Sequence, residues 1–218
     1  MSERGKANSI AFNSDSAHAS LSLLRALLVG SLGFAGVGLA GFSVWAFGGK
    51  WLYAHSGEAG LYSACLFVFL AVSGLLLHRL VVGPRRVLRF YLAFIPAFVA
   101  YGIVWCAAWF ALHIGIGEWL GSLLGSIAFA AVLGWRFRNF WGFPGVSCVL
   151  FCSHSVGYFL GGQLMQWLSS RDGALALPAL SETQLILLAK LGWGVVYGLG
   201  FGAGMGFAFR TVQAKRGG

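Results

Sequence analysis

Six long apolar stretches, separated by short polar breaks, make up most of the chain. They cover residues 26–47, 59–82, 91–114, 118–135, 146–168 and 185–209. About 20 largely apolar residues are enough to cross a bilayer as a helix. The breaks, among them FGGKW, GPRR and RFRNFWGFPG, contain the glycine, proline and charged residues that favour turns. The pattern predicts an all-α membrane protein, a bundle of six transmembrane helices.

The ends of the chain differ in composition from its middle. Residues 1–22 are polar, rich in Ser and Asn and without an apolar period, which predicts a disordered tail. Residues 23–210 are predicted to form a single six-helix transmembrane domain, and residues 211–218 a short basic tail. Within the domain, Pro144 is expected in the first turn of the fifth helix, and Pro96 inside the third, where it predicts a kink.

Composition supports a membrane protein and argues against a nucleic-acid binder. Hydrophobic residues make up 58% of the chain and charged residues 10%, whereas soluble domains carry about 25% charged residues. The net charge is +9, but the basic residues lie in short clusters between apolar stretches and not on one solvated face. We therefore expect a lipid bilayer, and no nucleic acid, as the surroundings of this protein.

The basic clusters also predict an orientation, since Lys and Arg beside a span stay in the cytoplasm. Alternate breaks hold Arg4, Lys6 and Arg25; Arg79, Arg85, Arg86 and Arg89; Arg136 and Arg138; and Arg210, Lys215 and Arg216. The opposite side has Lys50 and Arg171, with Lys190 near the start of the sixth span. Both termini are thus predicted to be cytoplasmic, in a cell (inner) membrane, with a bacterial origin favoured by the small size. The four arginines between residues 79 and 89 are predicted to contact anionic lipid or a partner protein.

The fifth span, SCVLFCSHSVGYFLGGQLMQW, is unusually polar for a membrane helix. At 100° per residue, one side carries Cys148, Cys152, Ser155, Gly162, Gln163 and Gln166, flanked by Ser147, His154 and Tyr158, and the other carries Val149, Leu150, Val156, Leu160, Leu164 and Trp167. Polar groups are costly in hydrocarbon, so the polar side is predicted to face protein. We predict that a small ligand cavity is lined by His154, Tyr158, Cys152, Ser155, Gln163 and Gln166. The alternative is that these groups only hold neighbouring helices together.

Glycines recur every fourth residue in the sixth span, at Gly194, Gly198, Gly202 and Gly206. Such a stripe lets two helix backbones approach closely. We predict tight packing within the chain, with homodimerisation through the same stripe, or hinge motion, as alternatives.

Candidate chemistry is sparse. All four cysteines lie in apolar stretches and are expected to be free thiols that ligate no metal. Haem b, which needs two histidines at matching depth, remains an alternative through His78 and His154. Neither HExxH nor GxSG occurs, and Glu118, the acid closest to a span, has no evident partner. Trp105 lies deep in the third span and is interpreted as a packing residue.

Together these observations favour a non-enzymatic membrane protein. We expect it to be transporter-like, or a subunit of a membrane complex, with a small polar cavity along the fifth helix. A membrane-embedded haem protein, or another intramembrane enzyme that uses His154, is the competing interpretation.

Overall fold

The computed structural model describes residues 21–113 and 115–214. Within them the chain forms α-helices joined by short loops and contains no strand, as the apolar pattern predicts. The helices are α1 (Leu23–Leu77), α2 (Arg86–Leu112), α3 (Ile116–Phe137), α4 (Phe143–Leu168), α5 (Arg171–Ala176) and α6 (Glu182–Gln213), with a 3-10 helix at His78–Leu80. Five of these helices, all except α5, are long and apolar enough to cross a membrane. The predicted tail lies outside the described residues except for Leu21 and Ser22.

Helix α1 folds back on itself at Gly57. This glycine has φ 65° and ψ −169°, a region of backbone space that only glycine occupies without strain. The two arms, residues 23–56 and 58–77, pack antiparallel: Phe69 contacts Phe42 and Leu77 reaches Gly33. At 1.5 Å per residue the arms are about 51 and 30 Å long.

The position of the first break differs from the sequence prediction. FGGKW was expected to end a helix, but the helix continues through it for several residues, to the turn at Gly57. Gly48 and Gly49 lie inside α1 with helical backbone, so neither glycine makes a turn. The predicted helix start at Pro144 is confirmed in the first turn of α4, and Pro96 lies inside α2.

The glycine stripe of α6 packs against the first arm of α1 in an antiparallel register. The facing pairs are Gly194 with Gly38, Gly198 with Ala35, Gly202 with Gly30, and Gly206 with Ala26. At each pair, a methyl group added to the α6 glycine would lie within 3 Å of backbone atoms of α1. The stripe is thus covered by the chain's own first helix.

Two further groups of glycine contacts hold α4 and α3 in the bundle. On a neighbouring side of α6, Gly200 packs against Gly157 of α4. On α3, Gly117, Gly121 and Gly125 pack along α2, where the last two contact the rings of Trp105 and Tyr101. These contacts fix the depth and direction of the α2 aromatic side chains.

One end of the bundle collects most of the basic residues. Arg25, Arg79, Arg85, Arg86, Arg89, Arg136, Arg138 and Arg210 lie there, and we call it the arginine-rich end. Gln213 stabilises this end because its amide donates to the Leu80 carbonyl at 2.8 Å and accepts from the Val82 N–H at 3.0 Å. Asn139 donates to the Val212 carbonyl at 3.0 Å. Helix α6 extends to Gln213, and the tail predicted over residues 211–218 stays a prediction.

Candidate solute-binding site

The side of α4 that is buried differs from the polar side that was predicted to face protein. His154 is fully buried, and Ser147, Ser155, Gly157 and Gly161 are also buried. By contrast, Cys148, Cys152, Gln163 and Gln166 are exposed on the outer side of the helix, while Leu150, predicted to face lipid, is fully buried. The predicted orientation of α4 is therefore corrected. Gly157 and Gly161 allow close contact with α6, and this fit decides the buried side.

His154 lies at the centre of an aromatic cluster. Its Nε2 is hydrogen-bonded to the hydroxyl group of Tyr101 on α2. The ring of Tyr158, one turn along α4, stacks on the imidazole with 5.8 Å between centroids. Tyr197 and Phe201 of α6 contact the imidazole edge-on at 5.6 and 5.7 Å. Its Nδ1 has no hydrogen-bond partner among the described residues, so the histidine retains unused hydrogen-bonding capacity.

Glu118 has a partner that the sequence did not reveal. Its Oε1 accepts a hydrogen bond of 3.0 Å from the Tyr158 hydroxyl, and its Oε2 accepts from the backbone N–H of Gly115 at 3.3 Å. The carboxylate thereby caps the start of α3 and orients Tyr158. It links α3 to the aromatic cluster around His154.

A cavity of about 170 Å³ lies beside this cluster, between α1, α2, α4 and α6. Its lining residues are Phe42, Tyr101, Gly102, Trp105, Tyr158, Trp193 and Tyr197. None of them is charged, and six of the seven are aromatic. The indole N–H of Trp105 is buried and has no acceptor among the described residues. A cavity of about 150 Å³ is large enough to hold benzene, so this one can hold a small organic molecule.

The sequence found one of the lining residues and missed the others. Tyr158, which was predicted to line a cavity, does so. His154 is not a lining residue but contacts two of them, Tyr101 and Tyr158. Ser155 is buried, and its hydroxyl has no hydrogen-bond partner among the described residues. Trp105, interpreted from the sequence as a packing residue, lines the cavity. The available signal was the set of deep aromatic residues on four spans, but only tertiary packing shows that they meet.

The remaining sequence candidates lie apart from this cavity. His78 donates a hydrogen bond from Nδ1 to the Leu75 carbonyl, 3.0 Å away in the last turn of α1. Ligation of haem by Nε2 of His154 would require displacement of Tyr101, and the haem interpretation stays a prediction. No group of three His, Cys, Asp or Glu side chains that could hold a metal occurs among the described residues.

The arginines predicted to contact lipid or a partner lie at the arginine-rich end. Arg79, Arg85 and Arg86 are exposed. Arg89 is half-buried and donates to the Val82 carbonyl at 2.6 Å, so it also holds the loop before α2. Three of the four guanidinium groups thus remain exposed at this end of the bundle.

Comparison with known protein families, with curated proteins and with solved structures finds no match to this chain.

Proposed function

We propose that the protein is a multi-pass membrane protein that crosses the bilayer six times and binds a small solute in the aromatic cavity. The six crossings rest on the division of α1. Its second arm, about 30 Å long, matches the hydrocarbon thickness of a bilayer, and its first arm is longer. Because the arms are antiparallel, α1 accounts for two crossings, and α2, α3, α4 and α6 account for four.

The charge distribution supports an orientation with both termini in the cytoplasm. Eight of the eleven described Lys and Arg residues belong to the arginine-rich end, and that end includes both Leu21 and Gln213. Positive residues beside spans remain on the cytoplasmic side. The Gly57 turn and α5 would then face the opposite side.

Single cysteines introduced into a cysteine-free variant test this topology. Ser56→Cys, beside the Gly57 turn, and Ser169→Cys, at the end of α4, are expected to react with an impermeant maleimide added outside intact cells. Arg85→Cys and Arg138→Cys are expected to react only after the membrane is permeabilised. Labelling of Ser56→Cys and Arg85→Cys from the same side would contradict the crossing of the second arm.

The cavity supports the solute-binding part of the proposal. Four elements that are distant in sequence contribute its lining, with Phe42 from α1, Trp105 from α2, Tyr158 from α4 and Trp193 from α6. Binding sites for small molecules have this character: mostly apolar and aromatic walls with a few polar groups that orient the ligand. In this lining, Tyr101, Tyr158 and Tyr197 carry the polar groups. The described lining contains no Ser, Thr, Cys or Lys side chain that could act as a nucleophile, so a role in solute capture or transport fits this arrangement better than catalysis.

A substitution that fills the cavity tests solute binding. A Cβ atom added at Gly102 meets no described atom within 4 Å, and Gly102 lines the cavity, so we expect the side chain of Gly102→Leu to occupy it. Gly162→Leu is the matched control, since Gly162 has the same free space but does not line the cavity. Native mass spectrometry of protein released from membranes is expected to show a small-molecule adduct on the wild type and the control, and none on Gly102→Leu. An adduct-free wild type, or equal adducts on all three, would refute the proposal.

A further inference from the structure

The rings around the cavity form a box of steeply inclined walls. Trp105 and Trp193 each meet Tyr158 at 61°, with centroids 5.7 and 6.0 Å apart. Tyr101 and Tyr197 contribute two more walls. A purely apolar solute would be held equally well by the aliphatic residues that this chain has in abundance. Aromatic faces add a negative potential, which attracts cations over the ring.

The charges near the cavity indicate the sign of the ligand. Glu118 is bonded directly to a lining residue, through the Tyr158 hydroxyl at 3.0 Å. The donated hydrogen bond shifts electron density towards the Tyr158 ring and strengthens its attraction for a cation. No lysine or arginine belongs to the described lining.

An ammonium group already lies on a ring in the adjoining cluster. Lys190 places its Nζ 4.6 Å from the centroid of Trp45, and Trp45 packs edge-on against Trp193 at 6.2 Å. Lys190 is not a lining residue, but its charge opposes a second cation nearby. Removing the positive charge of Lys190 should therefore strengthen cation binding, whereas removing the negative charge of Glu118 should weaken it.

The size of the cavity limits the size of the ligand. The volume of about 170 Å³ limits the ligand to a few non-hydrogen atoms beyond the size of benzene.

We propose that the cavity is an aromatic cage for a small methylated or quaternary ammonium compound. This inference rests on the proposed solute-binding function and names the class of solute. Recognition of quaternary ammonium ligands by several aromatic rings has the same physical basis.

Choline and 3,3-dimethylbutan-1-ol test the inference, because the two probes have nearly the same shape and hydroxyl group and differ in charge. Isothermal titration of the full chain in lipid nanodiscs is expected to show choline binding at least tenfold tighter than its neutral analogue. Trp193→Leu should remove most of this preference.

Charge variants and the cavity-filling pair complete the experiment. Glu118→Gln, which keeps an acceptor for Tyr158, is expected to weaken choline severalfold, and Lys190→Gln to strengthen it, with the neutral analogue unchanged in both. Gly102→Leu should abolish binding of both probes, and Gly162→Leu should preserve it.

The failure of the cage and the failure of solute binding give different results. Equal or tighter binding of the neutral analogue, blocked by Gly102→Leu, would overturn the cation inference and leave the solute site standing. Absence of binding by either probe would overturn the cation inference; if the native wild-type protein also carries no adduct, the proposed function fails with it.

Discussion

The contact between α6 and the first arm of α1 allows a substitution whose effect can be worked out from distances. A methyl group added at Gly202 would lie 2.2 Å from the carbonyl oxygen of Gly30, which is 1.2 Å short of the 3.4 Å at which ordinary contact begins. The obstacle is backbone, so no side-chain rotation can relieve it. The two helices must separate by about 1 Å, and such a gap forfeits a quarter to a half of each dispersion contact along the seam.

Gly162→Ala provides the reference for Gly202→Ala. Both substitutions replace a helical glycine, so both gain the same helix propensity, roughly 0.8–1 kcal/mol. A methyl group at Gly162 meets no described atom within 4 Å. The difference between the two variants therefore isolates the overpacking cost, and we expect about 3 kcal/mol, the upper part of the usual range for overpacked cores.

Reversible unfolding in mixed micelles of increasing SDS content, followed by far-UV circular dichroism, measures this difference. The free energy of unfolding of Gly202→Ala should fall well below that of Gly162→Ala. The double variant Gly30→Ala with Gly202→Ala should lose less than the sum of the single losses, because the helices are already apart when the second methyl group is added. Equal stability of Gly202→Ala and Gly162→Ala would refute the packing argument.

Three further predictions concern the turn, the arginine-rich end and the buried histidine. Gly57→Ala should destabilise the protein by about 1–3 kcal/mol, since its φ and ψ suit only glycine; unchanged SDS unfolding would contradict this. Gln213→Leu leaves the Val82 N–H without its side-chain acceptor, so it should lower the free energy of unfolding by about 1–3 kcal/mol and speed hydrogen exchange at the Val82 amide. Unchanged exchange at that amide would contradict a stabilising role of Gln213. Tyr101→Phe removes the hydrogen-bond partner of the buried His154 imidazole and should lower the free energy of unfolding by about 1–3 kcal/mol. Adding His154→Met to this variant should recover part of that loss, because no imidazole is then left unpaired. Strictly additive losses would show that the two side chains are uncoupled.

The sequence alone determined that the described residues are helical, with helices long and apolar enough to cross a membrane. Runs of apolar residues long enough to cross a bilayer have few other stable outcomes, since backbone groups in hydrocarbon must be satisfied within the segment. The glycine, proline and charged residues between the apolar stretches also predicted most helix ends to within a few residues of their positions in the structure. The exception was the first turn, because glycine in FGGKW is compatible with both a break and close helix packing, and only the backbone conformation at Gly57 distinguishes them.

The tertiary structure decided the composition of the candidate site. Polarity assigned the buried side of α4 incorrectly, since Cys152 and Gln163 are exposed while Leu150 is buried. A helical period records which residues share a side, but it carries no information about the shape of the neighbouring helix. Contact between Gly157 and α6 fixed that side, and the packing of four distant segments brought the aromatic rings around one cavity. Such an arrangement depends on the register between helices, which no single segment encodes.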